Sequence, residues 1–285
     1  MKAQPACIPC YYRQALSSAE FVTADKKRQV ALLNELANLV PTLDLDASPA
    51  HNSTIVLKAV NKFLLVNDPY KEEKRRYNNI ALKMFSHLRE IASNSPSRLI
   101  TSARLAVVGN VIDLGIKTEI NIDETLKKVL QAGFTIDHTN KLIEFIRNKP
   151  KILYLVDNSG EIVFDRIFIE ELIREGAEVT VGVKSGPILN DCTLEDAVQI
   201  GLTEIVKVVE TGSDWVGTHL DTCSPEFMKI FHESDLVISK GQGNFETLDG
   251  ARKKIFFILK AKCESVASEF GVKKGDLLFV LKENS

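Results

Sequence analysis

The sequence lacks any hydrophobic run long enough to cross a membrane. Its purely apolar stretches, such as Ile255 to Leu259, are far shorter than the roughly 20 residues that a transmembrane helix needs. The opening residues, MKAQPACIPC, also lack the apolar core of a secretory signal. We therefore expect a cytoplasmic protein that has no membrane partner.

The sequence also lacks an excess of charge of either sign. It has 36 Lys and Arg residues against 38 Asp and Glu residues, so its formal net charge is only -2. A balance of this kind gives no general electrostatic attraction for nucleic acid. The five cysteines are an odd number in a chain of 285 residues, which is atypical of a disulfide framework and fits a reducing compartment. We expect the partner to be a small molecule and not a nucleic acid.

The first half of the chain has the pattern of a helical region. Apolar residues recur at helical spacing from Val30 to Val40, from Ile55 to Phe63 and from Ile80 to Ile91. Turn-forming residues separate these segments, and hardly a strand pattern occurs among them. The sequence therefore predicts a helical N-terminal region over residues 1–149.

After Pro150, short apolar strands alternate with amphipathic helices. The predicted strands are Ile152 to Val156, Ala177 to Val183, Ile205 to Val209, Leu236 to Ser239, Ile255 to Leu259 and Leu277 to Leu281. Alternation at this spacing predicts a doubly wound, mainly parallel sheet. The predicted fold class is therefore α/β, with the helical region packed on a Rossmann-like three-layer domain of residues 150–285.

Polar clusters that contain glycine or proline follow three of the predicted strands. The cluster DNSGE, residues 157–161, follows the first strand, and Lys184 with Asn190 and Asp191 follows the second. The cluster KGQGN, residues 240–244, follows the strand LVIS. In an open parallel sheet these clusters would meet at the carboxyl edge, where ligands bind.

Three oxygen-bearing side chains in these clusters are candidate metal ligands. Asp157 and Asn158 end the first strand, and Asp191 adds a second carboxylate from the next one. Such hard oxygen donors suit Mg²⁺ or Mn²⁺, with water and phosphate completing the coordination. Asp157 could alternatively act as a covalent nucleophile, since carboxylates can accept a phosphoryl group.

Glycines and lysines in the same clusters are candidates for binding phosphate. Glycine at a turn lets backbone N–H groups approach an anion, and lysine neutralises charge on a transferring group. The alternative is that DNSG forms an ordinary turn with a helix cap, and that Asp191 belongs to another cap. The predicted phosphate-binding residues are Gly160, Glu161, Lys184, Lys240, Gly241, Gly243 and Asn244.

Familiar phosphate-binding motifs are absent from the sequence. The loop from Gly241 has Glu246 where a dinucleotide fingerprint needs a third small residue, and no Walker lysine follows a GxxxxG element. In haloacid-dehalogenase-type phosphatases a second aspartate lies two residues after the first, but here that position is Ser159. The mismatches with the dinucleotide fingerprint and the Walker motif disfavour a nicotinamide or P-loop enzyme.

The pair Cys7 and Cys10 forms an N-terminal CxxC motif. A structural zinc site normally has four ligands, and Cys263 or His51 could complete one if the fold brings it near. We predict that Cys7, Cys10 and Cys263 are a candidate second metal or redox site. The alternative is simple packing at the entry of a helix, because free cysteine is commonly buried.

Polar residues also interrupt the apolar patterns of the helical half. Asn110 and Asp113 lie three residues apart on a helix that is otherwise apolar, so they either line the cleft or form an interhelical hydrogen bond. Lys74 is by default expected to be solvated, like most lysines on helices, although a helical region that covers a phosphate site would use such a residue. The five histidines show no metal-ligand spacing.

Taken together, these motifs resemble the domain-of-unknown-function 89 family, also called the damage-control phosphatases. The motifs are the N-terminal CxxC, GN with a following Asp at 109–113, DNSGE, K..P..ND.T at 184–193 and KGQGN. The CxxC and the GQGN form are similar to the prokaryotic and archaeal branch of that family. The resemblance covers nearly the whole chain.

The resemblance implies hydrolysis of phosphate esters of sugars or damaged metabolites with a divalent metal, typically manganese, cobalt or nickel. It also implies that Asp157, Asn158 and Asp191 hold the metal, and that Asn110, Asp113 and the loop from Lys240 to Asn244 belong to the site. Eukaryotic relatives differ after the Lys-Gly pair, so the resemblance does not identify the substrate.

We therefore predict a divalent-metal-dependent phosphatase that acts on a small phosphorylated metabolite, with Mn, Co, Ni or Mg as cofactor. Two alternatives belong to other classes. A methyltransferase would bind its cofactor at the same sheet edge, since fold alone does not fix function. A non-catalytic metal or thiol sensor would instead use Cys7 and Cys10. The sequence gives no information on oligomeric state.

Overall fold

The computed structural model describes residues 1–109 and 122–283, and for residues 122–125 it describes only the helical backbone. The described elements are α1 (Ile8–Val22), α2 (Lys26–Leu39), α3 (Pro49–Leu64), α4 (Lys71–Ser93), α5 (Arg98–Val108), α6 (Ile122–Ala132), β1 (Ile136–Asp137), α7 (Thr139–Ile146), β2 (Lys151–Leu155), α8 (Glu161–Arg174), β3 (Glu178–Val183), α9 (Leu194–Gln199), β4 (Lys207–Glu210), α10 (Pro225–Glu233), β5 (Leu236–Lys240), α11 (Gln242–Leu248), β6 (Lys254–Lys260), α12 (Glu264–Phe270) and β7 (Leu277–Glu283). All six predicted strands are present. The short strand β1 was not predicted.

Helix starts follow from local side-chain chemistry. Asp25 accepts a hydrogen bond from the backbone N of Lys27 at 2.9 Å and so caps α2. Ser48 accepts one from His51 N at 3.1 Å, and Pro49 occupies the first helical position of α3. Ser224 and Pro225 repeat this arrangement at α10. Each Ser-Pro pair therefore fixes where a helix begins.

The strands form one sheet of seven described strands in the order β1-β7-β6-β5-β2-β3-β4. Only β6 and β7 pair antiparallel, and the other neighbours are parallel. From β2, the chain runs outward through β3 and β4 and then returns to the other side of β2 as β5, the central strand. The switch point of this doubly wound sheet therefore lies between β2 and β5, where ligands bind in such folds.

Alternation along the strands divides the apolar residues between two faces. In β2, Ile152 and Tyr154 pack in one hydrophobic cluster, together with α5 and α8. Leu153 and Leu155 pack in another cluster, with residues of α10, α11 and α12. These two clusters are the cores on either side of a three-layer structure. A third cluster joins α1, α2 and α3.

Two features link the predicted helical region to the sheet. Strand β1 lies before residue 150 and pairs with β7, with Ile136 opposite Leu278. Helix α5 is buried between other elements and contributes Leu105 and Val107 to a sheet core. The expectation of hardly a strand before residue 150 therefore needs this correction: β1 has only two residues, too few to show an alternating pattern. In the part of the chain that the structure describes, no helix combines the length and hydrophobicity that a membrane span requires.

Candidate active site

The loops that follow β2 and β3 are joined side by side. Asn158 and Asp191 form an isolated antiparallel bridge. Ser159 N donates to Asn190 O at 2.8 Å, and Cys192 N donates to Asp157 O at 2.9 Å. The structure therefore brings together Asp157, Asn158 and Asp191, the three predicted metal ligands.

The amide of Asn158 is oriented by two carboxylates. Its Nδ2 donates to Asp157 Oδ2 at 2.8 Å and to Glu161 Oε2 at 3.2 Å. The amide nitrogen is thereby used within the site, and the amide oxygen has no hydrogen-bond partner among the described residues. An oxygen donor of this kind suits a hard divalent cation.

The carboxylates lie in an environment that disfavours their charged forms. Burial, together with the nearby negative charges of Glu161 and Asp191, raises the pKa of Asp157 to about 8. Burial also raises the pKa of Asp191, to about 6, although Lys184 and Lys74 oppose this. A divalent cation between these groups would relieve the repulsion, so the donor set fits a metal ion.

The number of available ligands also constrains the site. Among the described residues, no group of three or more His, Cys, Asp or Glu side chains is arranged to hold a metal ion. The predicted ligand set, Asp157, Asn158 and Asp191, has only two carboxylates and one amide oxygen. A set this small would leave coordination positions for water and for a phosphate oxygen, as is usual for Mg²⁺ sites.

The loop after β5 lies directly against Asp157. Gly241 has a φ of 81°, and a Cβ atom placed on it would lie only 1.9 Å from Asp157 Oδ2. Only glycine satisfies both the backbone conformation and this close approach. The predicted glycine-rich loop therefore forms one wall of the site at the switch point between β2 and β5.

Lys240 is fully buried and holds two acidic side chains of α8. Its Nζ donates to Glu161 Oε1 at 2.6 Å, to Asp165 Oδ1 at 2.5 Å and to Ala106 O at 2.8 Å. These three acceptors use all three donors of the ammonium group. Burial opposes its charge, but Asp165 and Glu161 outweigh this and raise the pKa of Lys240. Direct contact between Lys240 and phosphate therefore stays a prediction, since the structure gives this residue a positioning role.

Asp165 belongs to the site and was not predicted from the sequence. Burial raises its pKa to about 7, although Lys240 opposes this shift. Tyr154, on β2, donates its hydroxyl to Asp165 Oδ1 at 2.8 Å. The position of Asp165, one turn after Glu161 in α8, was the only sequence signal for this contact.

Lys184 and Asn244 connect the loops of the site to each other. Lys184 Nζ donates to Gly217 O and lies 3.7 Å from Asp191 Oδ2. Asn244 donates to Val156 O at 3.2 Å and to Lys240 O at 2.8 Å. Both side chains are buried. Gly243 lies at the same junction, with Gly217 packed against its carbonyl oxygen.

Helix α4 reaches the site through a buried polar network. Asn78 accepts a hydrogen bond from Gly160 N at 2.6 Å and donates to Asp196 Oδ1 at 2.9 Å. Ser159 also donates to Asp196, at 2.9 Å, and Lys74 lies 3.2 Å from Asp196 Oδ2. The expectation that Lys74 is solvated was wrong, because α4 turns this side chain towards the aspartate. Its spacing of four residues from Asn78 puts both on the face of Ala81, the sequence signal for their burial.

The predicted site residues Asn110 and Asp113 lie outside the described ranges, and the structure describes this segment only as far as Gly109. Gly109, at the end of α5, is packed against Glu161, whose Cα would lie 2.9 Å from an added Cβ. The end of α5 therefore lies beside the site. The roles of Asn110 and Asp113 stay predictions.

The cysteines of the CxxC motif lie near the glycine-rich loop. Cys7 is buried and Cys10 is exposed, and Cys263 accepts a hydrogen bond at 3.6 Å from Gln242 Nε2. Burial raises the pKa of both Cys7 and Cys10, and Cys263 contributes to each shift as a nearby negative charge. The fold therefore brings the three thiols to one neighbourhood. A metal or redox role for them stays a prediction.

Comparisons with known proteins show the family and the fold that this chain shares. The sequence profile of the damage-control phosphatase ARMT1-like domain matches residues 3–278. A damage-control phosphatase of Pyrococcus horikoshii is 38% identical and is matched over 98% of this chain and 97% of its own length. An uncharacterised protein of Methanocaldococcus jannaschii is 40% identical over 97% of this chain and 94% of its own length. The crystal structure of a DUF89 family protein from P. horikoshii superposes with a TM-score of 0.92 at 35% identity and covers all of both chains.

Proposed function

Because the chain belongs to the damage-control phosphatase ARMT1-like family, we propose that it hydrolyses phosphate monoesters of small metabolites at one divalent metal ion held by Asp157, Asn158 and Asp191. The observation that carries the proposal is the joining of the loops after β2 and β3, which puts these three side chains together. The metal would be Mn²⁺, Co²⁺, Ni²⁺ or Mg²⁺. Sugar phosphates and damaged phosphometabolites are the proposed substrate class.

A bound divalent ion would polarise the phosphoryl oxygens and neutralise charge during transfer. The protein's own side chains hold the proposed metal ligands and the neighbouring loop in position. Asn158 is oriented by Asp157 and Glu161, and Glu161 is held in turn by Lys240. Gly241 keeps the next loop against Asp157 without filling the space that a side chain would take. Phosphoryl transfer depends mainly on such positioning and on charge stabilisation.

Two attacking groups are compatible with this arrangement. Water could attack the phosphorus directly, or the Asp157 carboxylate could form an aspartyl phosphate that water then hydrolyses. Acid quenching during the first turnover of a radiolabelled substrate distinguishes them. Label on the protein that is absent in Asp157→Asn would identify the covalent route.

The central test measures release of inorganic phosphate from p-nitrophenyl phosphate and from a panel of sugar phosphates. Metal-stripped protein receives Mg²⁺, Mn²⁺, Co²⁺ or Ni²⁺ in turn. We expect turnover only with metal, and its loss in Asp157→Ala and Asp191→Ala. Asp46→Ala is the matched control, because this aspartate is exposed and pairs with Lys2 at the surface. Absence of turnover with every metal and substrate would contradict the proposal.

A separate test addresses the alternative of a thiol sensor. Replacing both Cys7 and Cys10 by serine should leave phosphatase activity within about twofold of wild type, because neither side chain contacts the proposed metal ligands among the described contacts. Activity that required both thiols would instead favour a redox or sensor function. The methyltransferase alternative predicts cofactor binding without phosphate release, which the same protein preparations can exclude.

A further inference from the structure

A cavity away from the proposed metal ligands is rich in arginine. It has a volume of about 510 Å³ and lies between α4, α5, α8 and the turn before β4. Ile205, in that turn, lies at the amino end of β4, whereas the proposed metal ligands follow the carboxyl ends of β2 and β3. The cavity therefore belongs to the opposite edge of the sheet. Its arginines are Arg89, Arg98, Arg166 and Arg174.

Helix α8 connects the proposed metal site to this cavity. Its first residue, Glu161, accepts a hydrogen bond from Asn158, and its last residue, Arg174, lines the cavity. At a rise of about 1.5 Å per residue, the two ends of the helix are about 20 Å apart. Apart from Arg166, the residues of α8 that line the cavity lie between Glu170 and Arg174. A ligand in the cavity would therefore be distinct from a substrate at the metal.

Glu171 is shared by two of these arginines. Its carboxylate is buried and accepts hydrogen bonds from Arg98 Nη2 at 2.8 Å and from Arg174 Nε at 2.6 Å. Arg174 Nη2 also donates to Glu175 Oε1 at 3.0 Å. Among the described contacts, Nη1 of each guanidinium has no hydrogen bond. Each of these arginines therefore keeps a terminal nitrogen for another acceptor.

Glu170 is shared in the same way by the other two arginines. It accepts a hydrogen bond from Arg166 Nε at 3.1 Å, and Arg89 Nε lies 3.3 Å from its other oxygen. Arg166 Nη1 donates to Ile200 O in the turn after α9. The side chain of Arg89 is 59% exposed, and the described contacts give its two terminal nitrogens no hydrogen bond. Arg89 is therefore accessible to an anion that enters the cavity.

The positive charge on the cavity wall exceeds the negative charge. Four guanidinium groups face two carboxylates, so the lining residues leave a net charge of +2. Ion pairs that served only to hold the helices together would need no such excess. Because neighbouring guanidinium groups repel one another, a bound dianion would relieve this repulsion. The wall therefore has the charge and the free donors of an anion site.

Two exposed apolar side chains complete the cavity. Ile173 is 36% exposed and Ile205 is 37% exposed, and both line the same space as the arginines. Ligand sites commonly combine an apolar wall with a few polar groups that fix orientation. An inorganic ion would leave both isoleucines in contact with water. A ligand with an anionic group and an apolar part would cover them.

We propose that this cavity binds a small metabolite that carries a phosphate monoester and an apolar group. Guanidinium N–H groups suit phosphate oxygens, and a phosphate dianion matches the net charge of the wall. The cavity contains none of the proposed metal ligands, so the bound molecule is an effector and not a substrate. This inference does not depend on the proposed phosphatase function.

The test measures calorimetric binding of phenylphosphonate to the full-length protein without added metal. At mildly alkaline pH this probe is a dianion with an apolar ring, and it has no ester bond to hydrolyse. We expect Arg89→Gln and Arg174→Gln each to weaken binding by about tenfold to hundredfold, the range for a lost hydrogen bond to a charged group. Both glutamates keep a second arginine in these variants, so the fold should be retained. Arg76→Gln is the matched control, since this exposed arginine of α4 pairs with Glu73 outside the cavity.

The result that would overturn the proposal is an affinity that is absent in wild type or unchanged in both arginine variants. Thermal unfolding of each variant checks that it is folded. Asp157→Ala should bind the probe as tightly as wild type, and a loss of binding there would assign the probe to the metal site instead. Because the assay needs no turnover, an inactive wild type would refute the phosphatase function without affecting this result.

A second ligand tests the phosphate class. Phenylmalonate has the same ring and two carboxylates, which arginine also binds. We expect it to bind at least about tenfold more weakly than phenylphosphonate, because its two carboxylates hold the oxygens in a different geometry from a tetrahedral phosphate. Tighter binding of phenylmalonate would show a dicarboxylate site and contradict the proposed ligand.

Discussion

The carboxylate of Asp157 lies so close to Gly241 that a methyl group on the glycine would approach Oδ2 to 1.9 Å. This contact joins the ends of β2 and β5 at the switch point of the sheet. It also leaves no room for any side chain at position 241.

Replacing this glycine should therefore disable the site. Gly241→Ala adds the methyl group at a φ of 81° that alanine rarely adopts, so either the loop or the Asp157 carboxylate must move. A displacement of about 1 Å can lower the rate by about a hundredfold. We expect a loss of kcat of that size in the phosphate-release assay. Gly250→Ala is the control, because no atom lies within 4 Å of its added Cβ and its activity should be unchanged.

Asn78 should support activity from outside the ligand set. Asn78→Ala leaves the buried N–H of Gly160 without its acceptor, and such an unsatisfied group costs about 1–3 kcal/mol. We expect a lower free energy of unfolding in urea and a roughly tenfold fall in kcat as the loop after β2 loses its position. Asn79→Ala, at the exposed neighbouring residue, should change neither by much. Equal effects of the two variants would refute a positioning role for Asn78.

The buried cluster around Lys240 should be costly to disrupt. Lys240→Met leaves Glu161 and Asp165 buried without their counter-charge, and removal of one partner from a buried ion pair destabilises proteins by about 3–5 kcal/mol. Urea unfolding should show a loss in this range. Lys2→Met removes an exposed pair with Asp46 and should shift the midpoint only slightly. A small effect of Lys240→Met would contradict a buried cluster that depends on this ion pairing.

Glu246 should make stability depend on pH. Burial raises its pKa from the ordinary value of 4.5 to about 7, so between these values the folded protein keeps a proton that the unfolded chain releases. Stability therefore falls as the pH rises from about 4.5, and the loss is complete above about pH 7. Glu246→Gln should remove this penalty and raise stability at pH 8 by up to about 3 kcal/mol, with no gain at pH 4.

The control for this experiment is Glu269→Gln, since Glu269 is exposed and lies in α12. Urea or thermal unfolding at several pH values between 4 and 8 gives the difference in stability between each variant and wild type. A gain for Glu246→Gln that is equal at both ends of the range would contradict the assigned protonation of this carboxyl.

Local pattern predicted most of the sheet and the outline of the site. The strands from β2 to β7 were long enough to show apolar runs, and the clusters around Asp157, Asp191 and Gly241 followed strand ends as a parallel sheet requires. Strand β1 was not predicted, because it pairs over only two residues, Ile136 and Asp137. Tertiary context, not local propensity, makes it a strand.

The parts of the site that sequence could not give depend on contacts between distant segments. Asn78 meets Gly160 across 82 residues of chain, and Lys240 meets Glu161 across 79. No spacing rule connects such positions. The sequence pattern predicted Lys240 as a free cation at a strand end, whereas in the structure this lysine is buried and pairs with two carboxylates. Asp165 and Asn78 had no motif to mark them.

The pairing of β2 with β5 has a consequence for how the molecule folds. Lys151 N donates to Asp235 Oδ2 across 84 residues, and β3, β4 and three helices intervene between the two strands. Parallel pairing over such a distance is a slow step in folding, because a long loop must close before the contacts form. During synthesis, β2 would remain an open edge until β5 has been made. Catalytic competence would therefore appear late, after most of the chain has already been ordered.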